Sequence, residues 1–162
     1  MGSFSFEVSG LDQMIQKMGK VPQTAGKIAA EALYEGAGVM ADAVSRAVDG
    51  IATEPFKYAT GGKKRKASPE EKAILQNARK GVAKFRKTGV SVQTSVGMQN
   101  AGYADLNGKT KPIPLIANSI NSGTSFMQKQ PFMRRAFSQT KGAAQSAIEA
   151  GINSRLEELN ID

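Results

Sequence analysis

Ser138-Gln139-Thr140-Lys141 has the Ser-x-x-Lys spacing with which penicillin-binding enzymes place a lysine beside a nucleophilic hydroxyl. The companion Ser-Asp-Asn and Lys-Thr-Gly motifs are absent, and a chain this rich in Ser and Lys produces such a match by chance. Two carboxylate pairs stand out next, Glu70-Glu71 and Glu157-Glu158. Adjacent residues on a helix point in different directions, so neither pair is placed to share a proton or a substrate. They read as solvated faces, the first also as a helix start. The sequence has no histidine and no cysteine. That removes the commonest general base, every Ser-His or Cys-His arrangement, thiolate metal sites and disulfides. No phosphate-loop, zinc or calcium spacing occurs. The expectation is a protein that is not an enzyme, with no catalytic residue, metal site or cofactor.

The chemistry that remains is charge. The chain carries a formal net charge of +8. From Lys57 to Lys87 there are eleven basic residues against two acidic ones, a net +9, while the rest has eleven against twelve. One segment therefore holds the excess. Lys63, Lys64, Arg65, Lys66, Arg79, Lys80, Lys84, Arg86 and Lys87 are the candidate partner-binding residues, for an acidic protein surface or for DNA. Within the segment only Tyr58 and Phe85 are aromatic, so base stacking is poorly supplied. A protein partner is the first expectation, and a basic nucleic-acid-binding protein is the alternative.

These residues need elements to hold them. A chain of 162 residues suffices for one domain with one core. At 40% hydrophobic residues it is globular rather than disordered. No apolar run approaches the roughly 20 residues of a membrane helix, and the N-terminus reads as lacking a signal peptide. Met1-Gly2 is no myristoylation signal, since Phe6 stands where Ser or Thr is needed. The chain reads as cytosolic in origin.

Alternation over 3–9 and 89–98 predicts half-buried strands. Phe4, Phe6 and Val8 mark one face of the first, and Val90, Val92, Val96 and Met98 one face of the second. A further strand is expected near 101–106, before a turn at Asn107-Gly108. Leu11, Met14, Ile15 and Met18 predict a short helix after Ser9-Gly10. A longer, small-residue helix is expected over 22–49, with Gly36 and Gly38 inside it. Glycine weakens a helix, so these two point to a closely packed neighbour: the sheet of the same chain, or another subunit. Ser68-Pro69-Glu70-Glu71 is a capping-box helix start. The spacing of Ile74, Ala78, Val82 and Phe85 extends that helix to the end of the basic segment, as a peripheral arm. Ile113, Ile116 and Ile120 fall on one helical face, and a last helix is expected over 131–158. The expected fold is α+β: a small, mostly antiparallel sheet packed against the two long helices, with a protruding basic loop-helix arm at 57–87.

Between the last two helices lies Asn121-Ser122-Gly123-Thr124-Ser125-Phe126-Met127-Gln128-Lys129-Gln130-Pro131-Phe132-Met133-Arg134-Arg135-Ala136-Phe137. Gly123 allows a turn, and Thr124 and Ser125 offer side-chain bonds to the backbone. Pro131 suits a helix entry, Phe132 and Phe137 anchor it, and Arg134 and Arg135 face solvent or a partner. With Gly10-Leu11-Asp12 and the Ala-rich stretch 22–49, this ordered set resembles the tail-completion (neck, head–tail joining) proteins of tailed bacteriophages. The resemblance spans nearly the whole chain. It departs from the family at Ile120-Asn121-Ser122, where an aromatic and a glutamate are common, and at Arg135, where proline is common. Only Thr60-Gly61 answers to the Pro-Val-Asp-Thr-Gly stretch that often follows the long helix.

The resemblance implies a structural virion protein without catalytic groups. It implies a homo-oligomeric ring, a hexamer, with head-closure or connector proteins on one side and the tail-terminator or tail-tube protein on the other. Genomic DNA would pass through the channel, no membrane would be involved, and assembly would occur in the host cytoplasm. Gly123, Thr124, Ser125, Pro131, Phe132, Arg134, Arg135 and Phe137 are the positions that match the family's motif.

Overall fold

A computed structural model of the chain describes residues 4–7, 22–59, 61–78, 81–82, 86–88, 91–98 and 101–158. The expected helix over Leu11–Met18 lies outside them. The fold is α+β, built around two long helices.

Helix α1 spans Pro22–Asp49 and helix α4 spans Phe132–Glu158. They run antiparallel. Ala25, Ile28 and Ala29 near the start of α1 pack with Ile152 and Leu156 near the end of α4. Further along, Ala32 and Leu33 meet Ile148, and Met40, Ala43 and Val44 join Met133, Ala136, Phe137 and Ala144 in the main core. Small residues let the two backbones approach. A Cβ at Gly36 would stand within 2.8 Å of the Ala144 carbonyl oxygen and even nearer to Ile148 Cγ1. The neighbour expected at this glycine is thus helix α4 of the same chain rather than a sheet or a second subunit. Gly38 has nothing within 4 Å of its Cβ position, so it serves no such contact. Arg155 ties the pair at its edge, with Nε 2.9 Å from Glu31 Oε2, Nη2 2.7 Å from Glu35 Oε1, and Nη1 donating to the Gly151 carbonyl.

Strand β4 (Ser91–Gly97) is the centre of a four-stranded antiparallel sheet. Strand β1 (Phe4–Glu7) lies along one side, Phe4 opposite Val96. Strands β2 (Gly81–Val82) and β3 (Arg86–Thr88) lie on the other. Thr94, Val96 and Met98 are buried, as the period of two requires, and the sheet faces α1. The expectation that both long helices cover this sheet is corrected: α4 packs chiefly along α1. A separate hairpin joins β5 (Tyr103–Leu106) to β6 (Lys109–Pro112) through Asn107-Gly108, both at positive φ, +53° and +71°. Asn-Gly is the residue pair that the tight hairpin turn favours. Helix α3 (Ile113–Ser122) follows and buries Ile113, Ile116 and Ile120 on one face.

Helix α2 covers only Pro69–Asn77. Its start is the capping box read from the sequence: Ser68 Oγ accepts from the Glu71 amide at 3.1 Å, and the Ser68 amide donates to Glu71 Oε2 at 2.8 Å. Its end is not where the apolar spacing puts it. Ala78 is extended (φ −69°, ψ 143°), and the chain beyond becomes β2 and β3. Glycine at 81 disfavours helix, and pairing of 81–82 and 86–88 with β4 supplies backbone partners that outweigh a four-residue apolar stripe. The protruding loop-helix arm is therefore corrected as well. Residues 65–78 belong to the body: Ala67, Ser68 and Leu75 are each fully buried. Lys72 Nζ also donates to the carbonyls of Asp49 and Ile51, closing the C-terminal end of α1.

Candidate functional site

The described residues 55–59 and 61–64 are all exposed and belong to one loop. Its base is sewn shut. Thr53 bridges Ala67, the Glu54 amide donates to the Ala67 carbonyl at 2.9 Å, and the Lys66 amide donates to Glu54 Oε1 at 2.6 Å. On the far side of this strip Arg65 bridges Met127. The Arg65 amide donates to the Phe126 carbonyl at 2.9 Å, and the Gln128 amide donates to the Arg65 carbonyl at 2.7 Å. Gln130 completes the joint. Its side-chain oxygen accepts from the Ala52 amide at 2.8 Å, and its nitrogen donates to the Ala52 carbonyl at 2.9 Å. Three stretches distant in sequence, 52–54, 65–67 and 126–128, thus run side by side.

Arg65 is the pin of this arrangement. It is buried, 9% exposed, and its guanidinium makes two parallel 2.7 Å bonds to Glu71, Nη1 to Oε2 and Nη2 to Oε1. The bonds to Glu71 raise the Arg65 pKa above its ordinary value against the opposing cost of burial. Burial would push the Glu71 carboxyl up. The Arg65 fork, the Ser68 amide and the charges of Arg65 and Lys111 outweigh it and hold the pKa below the ordinary value. Arg65 therefore does not remain free for a partner, and its place among the candidate residues is corrected. A buried guanidinium with its fork spent on an internal carboxylate has nothing left to offer outside.

The Arg65 guanidinium also lies over the ring of Phe56, 5.0 Å from its centroid. Tyr58 stands edge-on to Phe56, centroids 5.3 Å apart at 80°. Tyr58 is 83% exposed, Phe126 50% and Phe56 37%. Lys57, Lys63, Lys64 and Lys66 are exposed around them. Gly61 and Gly62 turn the loop tip at φ +60° and +74°, a conformation open to glycine and strained for other residues. Arg86 and Lys87 are in β3, opposite Gln93 and Val92. Arg79, Lys80 and Lys84 lie outside the described residues.

The motif residues form the adjoining joint. Gly123 ends α3 at φ +75°, where a Cβ would come 3.0 Å from Lys129. Thr124 Oγ1 accepts from the amides of Met127 at 3.0 Å and Phe126 at 3.3 Å. Ser125 is exposed. Pro131 immediately precedes α4, Phe132 and Phe137 are buried, and Arg134 and Arg135 are exposed. Sequence reasoning missed Asn121, whose Oδ1 accepts from the Met133 amide at 3.1 Å and so caps α4 from the neighbouring helix. It also missed Gln130, Phe126 and the pairing of Glu71 with Arg65. Only the Glu71 capping role carried a local signal.

Ser138 and Lys141 are exposed on α4, and no group of three or more potential metal ligands exists among the described residues. An open groove between α2 and the β5–β6 hairpin is lined by Ile74, Ala78, Ala101 and Ala104, with Glu70 and Asp105. Among the described residues no helix is long and apolar enough to cross a membrane. Comparison with protein-family models, characterised proteins and solved structures finds no match for this chain.

Proposed function

We propose that this chain is a structural subunit of a bacteriophage neck. In this reading it is a tail-completion protein that forms a six-membered ring between the head-closure or connector proteins and the tail-terminator or tail-tube protein, leaving a channel for the genome. The observation that carries the reading is the joint at 121–137. The residues of the motif resemblance turn the chain out of α3 at Gly123, hold Met127 through the Thr124 hydroxyl and form the entry of α4 from Pro131 through Phe137. A motif that builds the central junction of a fold is the kind that persists when the intervening segments vary in length.

The long antiparallel pair α1 and α4 supports the same reading. Helices of 28 and 27 residues reach about 40 Å at 1.5 Å per residue. They would act as stiff struts on which loops are presented to neighbouring rings. The work of such a subunit is to hold shape, and its surfaces rather than a reactive group would carry specificity.

The decisive measurement is the mass of the purified protein alone and with the tail-tube protein, followed by imaging of any complex. A closed six-fold ring with an open channel on the tube end is the expected result. A chain that neither closes into a ring nor associates with the tube protein, or a virion map with a single copy per neck, overturns the proposal.

A further inference from the structure

From the loop 55–64 and its neighbours we infer that the chain carries a binding site for single-stranded nucleic acid, independent of its place in a neck. In sequence the basic segment is short of aromatic rings. In the fold the shortage is made good. Phe56 lies under the Arg65 guanidinium, Tyr58 stands against Phe56, and the half-exposed Phe126 is in the stretch whose backbone pairs with Arg65. Lys57, Lys63 and Lys64 are exposed in the same loop as Phe56 and Tyr58, and Lys66 and Lys129 are exposed in or next to the stretches that pair at its base. Between Glu54 and Glu70 the chain has no acidic residue, and Glu54 already accepts the Lys66 amide.

Exposed rings among cations fit a ligand that is a polyanion and also presents flat π-faces. A single strand has both. Duplex DNA hides its bases, and an acidic protein surface offers charge without a regular supply of rings. The platform is also held in advance. The bidentate Arg65–Glu71 pair is anchored to the cap of α2, the guanidinium lies over Phe56, and Phe56 meets Tyr58 in a T-shaped contact. A ring held in place before binding loses little freedom when a base stacks on it. The glycines at 61 and 62 turn the loop at positive φ, next to the exposed pair Lys63-Lys64.

The test is fluorescence anisotropy of a labelled twenty-residue oligothymidylate, with a duplex of the same length as comparison. The parent is expected to bind the single strand more tightly than the duplex. Tyr58→Ala should weaken binding by about 5- to 150-fold, the factor that loss of one stacked base implies, while Tyr58→Phe retains it. Replacing Lys57, Lys63 and Lys64 by Ser should reduce the slope of log K against log salt by about 2, at ~0.7 per phosphate contact. Circular dichroism and thermal melting of each variant confirm that the fold is kept. No binding by the parent, equal affinity for the duplex, or a folded Tyr58→Ala variant that binds as tightly as the parent each overturns the inference. Ring formation with the tube protein is read separately, so failure here leaves the neck proposal standing, and the reverse.

Discussion

The carboxylate of Glu71 does two jobs for two different elements: its Oε2 caps the amide of Ser68 at the start of α2, and both of its oxygens take the fork of Arg65 at 2.7 Å. One buried side chain thus couples a helix start to the strip that carries the exposed loop. Removing one member of a buried ion pair leaves the other uncompensated, at a cost of about 3–5 kcal/mol. Glu71→Gln is expected to destabilise the protein by an amount of this order, read as a lowered denaturant midpoint. Replacing Arg65 and Glu71 together by Met and Leu is expected to cost less than the sum of the single changes. Additive losses would show that the two side chains do not depend on each other.

The same pair sets an acid limit. In the fold the Glu71 pKa is below its ordinary value because the Arg65 fork and the Ser68 amide favour the ionised form over the cost of burial. A carboxyl depressed on folding contributes stability that is fully present above the unfolded-state pKa, about 4.3 for glutamate. The contribution is lost as the pH falls through the depressed folded-state value. Stability should therefore be level with respect to this group above about pH 5 and decline below it. The Glu71→Gln variant, less stable throughout, should show a shallower acid decline. Parallel profiles for parent and variant over pH 5 to 3 would assign the acid loss to other carboxylates.

Two glycines on α1 give opposite expectations. At Gly36 a Cβ would press on Ile148 and come 2.8 Å from the Ala144 carbonyl, which as backbone has little room to give. Gly36→Ala should cost about 1–3 kcal/mol through overpacking of the helix pair. At Gly38 there is open space. Gly38→Ala should stabilise by about 0.5–1 kcal/mol through helix propensity and a less mobile unfolded chain. Chemical denaturation of the two variants side by side decides it, and equal effects would remove the close approach of α1 and α4 as the reason for Gly36.

What could be read from the sequence follows how local each cause is. Helix α1 covers the 22–49 that its small-residue stripe suggested, and the capping box of α2 is a four-residue pattern. The Asn107-Gly108 hairpin turn is equally local. The end of α2 was not legible, because Val82 and Phe85 continue a helical spacing while the backbone at 81–82 is claimed by β4, some 15 residues away. Nor was the fate of Arg65. In a run of Lys63-Lys64-Arg65-Lys66 all four residues look alike, and only the fold shows that one turns inward to Glu71 while its neighbours stay in water. The backbone pairing that sets Phe126 next to Arg65 in the strip joins stretches about 60 residues apart in the chain, a separation no periodicity reports.

Asn121 in α3 has a specific task. Its Oδ1 accepts the Met133 amide, one of the amides at the start of α4 that has no intrahelical partner. Asn121→Ala should cost about 1 kcal/mol, the usual value of a lost cap. Asn121→Asp keeps the acceptor and should restore most of it. A thermal melt of both variants checks this, and an alanine variant as stable as the parent would show that water serves the amide equally well.

The last prediction concerns how the charge run divides. Lys57, Lys63 and Lys64 are exposed on the loop, whereas Arg65 is buried and spent on Glu71. Exposed charges contribute little to folding, and a surface substitution away from special contacts changes stability by no more than about 0.5 kcal/mol. Changing the three lysines to Ser should therefore leave the denaturant midpoint almost unmoved. Adding Arg65→Ser to that triple variant should lower the stability by about 3–5 kcal/mol, because Glu71 is left buried without its partner. Arg65→Lys should not rescue fully, since an ammonium cannot make the two parallel bonds or lie flat over Phe56. The triple variant is thus the one to carry into a head–tail joining assay. It removes +3 from the outer surface and keeps the fold, so any loss of joining that deepens with salt belongs to the loop's charge. The fourfold change of Lys63, Lys64, Arg65 and Lys66, the obvious choice from sequence, would confuse a lost contact with a damaged core. If the triple variant proves as unstable as the one that includes Arg65→Ser, the division between inward and outward charges is wrong, and the loop lysines hold the fold as well.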